Sequence, residues 1–189
     1  MSDTVKSPST ISPARYNLVA QGLHWLMAAI LIYLILFSSF EEVPDAEMVS
    51  RIKLHSGLGI LVVVLAIARW FWRRARPRPA TITNSPRWQV RAAEAVHYAF
   101  YALFLIAPVI GLVLAGLVAY DVSIFGVFSV ADWLADNAGA ADLVNSFHGF
   151  SADVLLALII VHVAAALYHQ FYKRDGLIWR MLPFGNPRI

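Results

Sequence analysis

The sequence lacks cysteine and has few charged residues, and both absences narrow what the protein can be. Without cysteine, the 189-residue chain has no disulfide, no thiolate zinc site, no cysteine-ligated iron–sulfur cluster and no covalently attached c-type haem. Charged residues make up 14% of the chain, against about a quarter of a typical soluble domain. Apolar residues make up 59%, so we predict a single domain whose solvent is the lipid bilayer.

Four long apolar stretches follow a polar N-terminal tail. Residues 1–14 are polar, with recurring Ser and Pro, and are predicted to be a disordered tail. Each apolar stretch has about the 20 residues that a membrane-spanning helix needs. The four stretches run at Leu18–Phe40, Leu54–Trp72, Val96–Tyr120 and Phe147–Phe171. The middle of the connection before the last stretch, VFSVADWLADN, is a candidate for a short surface helix.

The distribution of basic residues predicts the orientation of the chain. Nearly all Lys and Arg residues outside the apolar stretches lie in the N-terminal tail, the second connection or the C-terminal end, whereas Arg51 and Lys53 lie on the other side. By the positive-inside rule, both termini are therefore cytoplasmic. The predicted fold is all-α: an integral membrane four-helix up-down bundle over residues 15–183, followed by a cytoplasmic tail, 184–189.

Histidines are the most informative residues within the apolar stretches. A histidine in lipid needs a partner, and the simplest one is a hydrogen bond to a neighbouring helix. Six histidines in a four-span chain make that explanation insufficient for the whole set. They are His24, His55, His97, His148, His162 and His169. His148 and His162 are fourteen residues apart, which is about 21 Å along nearly one face of a helix.

The depths of the histidines predict two pairs. His24 lies about two and a half turns after the first arginine of the domain, and His162 about three turns before the lysine that follows the last span. Both therefore lie on the cytoplasmic side. His55 and His148 both lie near the outer ends of their helices. We therefore predict that His24 pairs with His162 and that His55 pairs with His148.

Haem suits these pairs better than zinc does. Two facing histidines without a carboxylate beside them match a flat iron macrocycle with two axial ligands, whereas structural zinc is tetrahedral. The residue four positions after each paired histidine is small, which leaves room for a macrocycle against the helix. These residues are Ala28, Gly59, Ala152 and Ala166. We predict two b haems whose iron is bound by the four paired histidines.

Several spaced motifs resemble those of the bacterial cytochrome b561 family of small, quinone-linked, di-haem membrane cytochromes. The resemblance extends from Arg15 to Pro183. Its motifs are HWL at His24–Leu26, HSGLGI at His55–Ile60, Arg69 fourteen residues after His55, PVIGL at Pro108–Leu112, FHG at Phe147–Gly149 and HVAAALYHQFYKRD at His162–Asp175. The resemblance implies haem ligation by the same four histidines that the depth argument pairs.

The resemblance also implies a reaction. Superoxide is oxidised at the outer face of a bacterial inner membrane, and ubiquinone is reduced near the cytoplasmic face. His169 matches the position that the family uses at the quinone, and its imidazole could relay a proton there. Without the resemblance, an interfacial histidine in water explains His169 equally well.

Five basic residues have candidate roles beside simpler explanations. Arg69 is predicted to pair with a haem propionate or a quinone oxygen, the alternative being a side chain that extends to the interface. Arg51 and Lys53 could attract superoxide to the outer haem, although anchoring charges are common at helix ends. Arg87 and Arg91 are candidates for the quinone site, or else solvated charges of the basic connection.

Three functions compete at this point. The first is an oxidoreductase that takes electrons from superoxide and gives them to ubiquinone, with the bilayer and these two molecules as its partners. The second is a membrane-anchor subunit that passes electrons between a partner dehydrogenase or hydrogenase and the quinone pool. The third is a haem carrier or a structural membrane protein, which two fully ligated haems argue against. We expect no nucleic-acid partner.

Overall fold

The computed structural model describes residues 15–38, 44–77, 79, 85–118, 120, 122–124, 128–129, 134 and 137–185. The predicted tail over residues 1–14 lies outside these ranges. So do residues 186–189 of the predicted C-terminal tail. The predictions for both tails therefore stay predictions.

Four helices account for most of the described chain. They are α1 (Leu18–Phe37), α2 (Asp45–Ala75), α3 (Arg87–Leu117) and α4 (Ala138–Tyr168). Each contains a segment long and apolar enough to cross a membrane, which confirms the four predicted spans. The last three helices have 31 residues each, or about 46 Å, and exceed the hydrocarbon core of about 30 Å. All three begin before the predicted apolar stretches, at Asp45, Arg87 and Ala138.

Asparagine side chains start the first and last helices. The Asn17 side chain accepts a hydrogen bond from the Ala20 backbone N–H, and Asn137 does the same for Ala140. Asn17 Oδ1 also accepts a hydrogen bond of 2.9 Å from the indole N–H of Trp72. The first turn of α1 is therefore fixed against the last turn of α2.

One apolar core joins all four helices. α1 contributes three of its buried side chains, α2 two, and α3 and α4 one each. These residues are Met27, Ile30, Leu31, Val62, Ala66, Phe100 and Leu155. Many other large apolar side chains are exposed, for example Leu36 on α1 and Phe150 on α4. A bilayer would cover this apolar surface.

The connection between α3 and α4 contains two short strands. β1 (Ser123–Ile124) pairs antiparallel with β2 (Phe128–Ser129). The candidate surface helix began at Val127, so the expectation is wrong for its start, where backbone pairing with β1 takes the place of helical hydrogen bonds. Most of the rest of that segment lies outside the described residues.

The chain continues beyond α4 and returns to α1. A wide π-helical turn, η1 (His169–Lys173), follows α4 directly, and Arg174 then adopts a left-handed conformation with φ of 53°. A short 3-10 helix, η2 (Ile178–Met181), comes next. We call Asp175–Gly185 the C-terminal segment. It contacts α1, so the two ends of the described chain lie together.

Candidate haem-binding sites

The first histidine pair joins α2 to α4. The His55 ring lies 5.9 Å from the His148 ring, measured between ring centroids, and the two ring planes are inclined by 75°. Both side chains are half-buried between the helices. The structure therefore brings together the two histidines that were predicted to lie near the outer ends of their helices.

Helix α3 holds the His148 ring from the other side. His148 Nδ1 lies 3.1 Å from the Ala107 carbonyl oxygen. A carbonyl oxygen can only accept a hydrogen bond, so Nδ1 donates, and Nε2 is left to bind a metal ion. A Cβ atom added to Gly111 would lie 3.1 Å from His148 Cε1, which is tighter than an ordinary van der Waals contact, so a larger residue there would press against the ring. The motif PVIGL at Pro108–Leu112 contains Gly111 and directly follows Ala107, but sequence reasoning assigned neither residue a role beside His148.

The second histidine pair joins α1 to α4. The His24 ring lies 6.2 Å from the His162 ring, and the planes are inclined by 65°. A third histidine, His97 on α3, has its ring 5.7 Å from that of His162. Phe100, one turn after His97, packs edge-on against His162 at 5.6 Å. Sequence reasoning left His97 aside, whereas the structure places it at this site.

The separation within each pair fits a metal ion bound between the rings. Two imidazoles that bind opposite sides of a metal ion through Nε2 have centroids about 6 Å apart, because each metal–nitrogen bond is about 2 Å and each centroid lies about 1 Å behind its nitrogen. The observed 5.9 Å and 6.2 Å agree with this value. Such pairs suit haem iron, which takes two axial imidazoles across a flat macrocycle.

Two further observations favour haem over a compact metal site. A Cβ atom added to Gly59, one turn after His55, would meet nothing within 4 Å, so the α2 surface beside that histidine is open. Within the described ranges, no three His, Cys, Asp or Glu side chains are grouped to hold a metal ion. A tetrahedral zinc site therefore lacks its ligands there.

Arg69 contacts α1 beside the second pair. Its Nη1 donates a hydrogen bond of 2.8 Å to the Ala20 carbonyl, which lies one helical turn before His24. The side chain is half-buried, so it does not extend freely into solvent. This position suits the predicted contact with a propionate, which stays a prediction.

An open cavity of about 290 Å³ lies beside His55. Its lining comes from the C-terminal end of α1 and the N-terminal part of α2, and consists of Tyr33, Phe37, Ser38, Arg51 and His55. Arg51 also makes an ion pair of 3.4 Å with Glu47, and both side chains are about half-exposed. Lys53 is exposed and does not line this cavity. Of the two predicted basic residues, only Arg51 therefore shares a cavity with a candidate ligand.

A second cavity, of about 480 Å³, lies between α2 and α3 beside His97. Aromatic and charged side chains line it: Trp70, Arg73, Arg74, Glu94, His97, Tyr98 and Tyr101. The Arg74 guanidinium lies 3.9 Å from the centre of the Trp70 ring. Arg87 and Arg91 are exposed near the start of α3 and do not line this cavity, so their place at a quinone stays a prediction.

His169 is held by a carboxylate that sequence reasoning did not identify as its partner. Its Nδ1 lies 2.5 Å from Asp175 Oδ2, and the two side chains are 15% and 17% exposed. The other carboxylate oxygen, Oδ1, accepts a hydrogen bond of 3.1 Å from the Leu177 backbone N–H. Residues six apart lie on different faces of a regular α-helix, so the spacing alone gave no signal.

Similarity to known proteins covers almost the whole chain. The family model described as prokaryotic cytochrome b561 matches residues 15–184. Cytochrome b561 homolog 2 of Escherichia coli (strain K12) is 30% identical over 177 residues, which cover 92% of this chain and 94% of the relative. Cytochrome b561 homolog 1 of the same organism is 30% identical over 129 residues, or 68% of this chain and 73% of the relative.

A third relative has a name that states an activity. The Yersinia pestis protein called "Probable superoxide oxidase CybB" is 27% identical over 172 residues, which cover 89% of this chain and 96% of the relative. The family match agrees with the four membrane-spanning helices. The chain therefore belongs to the prokaryotic cytochrome b561 family, whose members transfer electrons in membranes by means of b-type haem.

Proposed function

We propose that the protein oxidises superoxide at the periplasmic face of the bacterial inner membrane and reduces ubiquinone near the cytoplasmic face. Two superoxide anions, one ubiquinone and two protons give two dioxygen molecules and one ubiquinol. His55 and His148 hold the outer b haem, and His24 and His162 hold the inner one. When bound, the haems supply one-electron redox centres on the two sides of the bilayer.

The observation that carries the proposal is the presence of two histidine pairs at different depths. Both pairs use α4, and the fourteen residues between His148 and His162 correspond to about 21 Å along the helix. Rings 5.9 Å and 6.2 Å apart support a pair of iron ligands at each depth. Two such sites suit electron transfer across the bilayer, whereas a single site would span only part of the thickness of the bilayer.

An up-down bundle with cytoplasmic termini belongs to this proposal. The Trp72–Asn17 hydrogen bond brings the end of α2 to the start of α1, and the first cavity brings Phe37 near Arg51 at the opposite ends of the same helices. These contacts favour antiparallel neighbours. The basic residues of the second connection support a cytoplasmic position for His24 and His162.

The cavity beside His55 supports superoxide as the electron donor. Superoxide is a small anion that needs access to the edge of the outer site rather than a shaped pocket. Arg51 lines the cavity and attracts an anion, whereas Glu47, its ion-pair partner, weakens that attraction. The named activity of the Yersinia pestis relative points to the same donor.

The experiment that tests the proposal follows haem absorbance after a pulse of superoxide. Purified protein in detergent is mixed with superoxide, with and without ubiquinone. We expect rapid haem reduction, followed by reoxidation only where ubiquinone is present. Haem that stays oxidised after superoxide would refute the donor and favour the membrane-anchor hypothesis, in which a partner protein supplies the electrons.

A further inference from the structure

We propose that Asp175 is the positioning residue for His169 in the protonation of ubiquinone, and that Trp25 helps to hold Asp175 by binding the C-terminal segment to α1. The inference rests on the proposed function, because it concerns the step in which quinone is reduced. Asp175 and Trp25 then join His169 as residues with a proposed role in quinone reduction.

The carboxylate fixes the orientation of the imidazole. His169 Nδ1–H donates a hydrogen bond to Asp175 Oδ2, so Nε2 is the ring nitrogen left to face a quinone oxygen. Because Oδ1 also accepts from the Leu177 backbone N–H, both carboxylate oxygens are held. Neither side chain is well exposed, which shields their contact from water.

The unusual backbone at this point makes the contact possible. The π-helical turn His169–Lys173 widens the end of α4, and Arg174 reverses the chain in a left-handed conformation. The Asp175 N–H then bonds back to the His169 carbonyl at 3.4 Å. A regular continuation of α4 would carry Asp175 to a different face.

The rest of the C-terminal segment is tied to α1. The indole N–H of Trp25 donates a hydrogen bond of 2.8 Å to the Met181 carbonyl, and the Tyr16 N–H donates one of 3.1 Å to the Arg180 carbonyl. The Trp25 ring also lies 5.2 Å from the His24 ring. The segment that presents Asp175 is therefore fixed beside the inner histidine pair.

The arrangement suits repeated proton delivery. Ubiquinone gains two electrons and two protons, and an O–H bond forms at each of its oxygens. At the oxygen that His169 faces, the N–H bond at Nε2 breaks as the O–H bond forms, and the imidazole then takes a new proton from cytoplasmic water. The second oxygen, on the far side of the quinone ring, takes its proton from water. The Asp175 carboxylate holds the ring and stabilises the imidazolium, as the carboxylate does in a catalytic triad.

The first test is Asp175→Asn, which keeps the shape of the side chain and removes its charge. The haems of the purified holoprotein are reduced with dithionite, the excess reductant is removed, and reoxidation by a short-chain ubiquinone is followed. We expect reoxidation to slow roughly 10- to 100-fold. Haem content and reduction by superoxide should not change. The matched control is Asp142→Asn, at the opposite end of α4, which should behave as the wild type.

A double-mutant cycle separates positioning from a structural role. His169→Ala should slow reoxidation about 100-fold or more. If Asp175 acts through His169, then Asp175→Asn should add nothing in the His169→Ala background. A residue that only stabilises the fold would add its own effect there.

Trp25→Phe tests the attachment of the C-terminal segment. The change keeps an aromatic ring beside His24 and removes the N–H that binds the Met181 carbonyl. We expect reoxidation by ubiquinone to slow about two- to tenfold, the factor that corresponds to one hydrogen bond, and haem content to stay at the wild-type level. Trp88→Phe, at an exposed position near the start of α3, is the matched control.

The outcomes distinguish this inference from the proposed function. If ubiquinone does not reoxidise the wild-type haems, the proposed function fails at its acceptor. If the wild type is reoxidised and Asp175→Asn is equally fast, or if the two substitutions are additive in the cycle, the role of Asp175 is overturned. A wild-type rate in Trp25→Phe would overturn the role of Trp25.

Discussion

Gly111→Ala tests most directly how α3 positions the His148 ring. Gly111 lies on α3 against the edge of the His148 ring, and its neighbour Ala107 accepts the Nδ1 hydrogen bond. An added Cβ atom would lie 3.1 Å from His148 Cε1 and 3.5 Å from Nδ1. The methyl group cannot move on a helix, so the ring must shift by a few tenths of an ångström, away from the position that faces His55.

Two opposing effects set the size of the change. Carbon atoms pack best at about 3.5–4.0 Å, so the new contact is too close by about half an ångström. Overpacking of this kind costs about 1–3 kcal/mol, whereas Ala favours a helix over Gly by about 1 kcal/mol. The difference between these two free energies is a net destabilisation of about 0–2 kcal/mol. A destabilisation of about 2 kcal/mol corresponds to haem binding that is weaker by about 30-fold.

Titration of the haem-depleted protein with haem measures the effect. We expect Gly111→Ala to retain the inner haem, to bind the outer one more weakly and to change its redox potential. Gly57→Ala on α2 is the control, because a Cβ atom there meets nothing within 4 Å. Wild-type affinity and potential of both haems in Gly111→Ala would refute the proposed seating of His148.

Three further predictions concern the haems and the electron donor. His55→Ala should remove only the outer haem and His162→Ala only the inner one, which a haem-to-protein ratio and a redox titration detect; full haem content in either variant contradicts the pairing. Gly59→Ala should perturb the outer haem although its Cβ meets no protein atom, because the macrocycle is proposed to lie there; an unchanged spectrum argues against that placement. Arg51→Glu should slow reduction by superoxide about two- to tenfold at low ionic strength and less in high salt, whereas Lys53→Glu should have a smaller effect; equal rates in stopped flow would exclude steering by the cavity.

The four helices could be predicted from the sequence because a helix that crosses a bilayer needs about 20 consecutive apolar residues, and such segments are easily recognised. The depth of each histidine followed from the same reasoning, since residues at a known distance from a helix end lie at a known depth. The structure brings the rings of His24 and His162, and those of His55 and His148, within about 6 Å, as their depths suggested. That they bind haem remains a prediction.

Other parts of the site depend on packing that a sequence does not display. Depth in the bilayer paired four histidines and gave His97 no role, yet its ring lies beside His162. Asp175 contacts His169 only because a π-helical turn and the left-handed Arg174 redirect the chain. Gly111 lies in the motif PVIGL, but its contact with His148 is visible only in the structure.

The return of the C-terminal segment to α1 has a consequence for biogenesis. During synthesis, Trp25 enters the membrane long before Met181 leaves the ribosome. The hydrogen bond from the Trp25 indole to the Met181 carbonyl therefore forms only when translation is almost finished. The inner histidine pair is likewise incomplete until α4, which contains His162, has been synthesised. If the inner pair binds haem as proposed, its insertion would follow synthesis of α4, and a nascent chain stalled before residue 175 would contain His169 without its carboxylate partner.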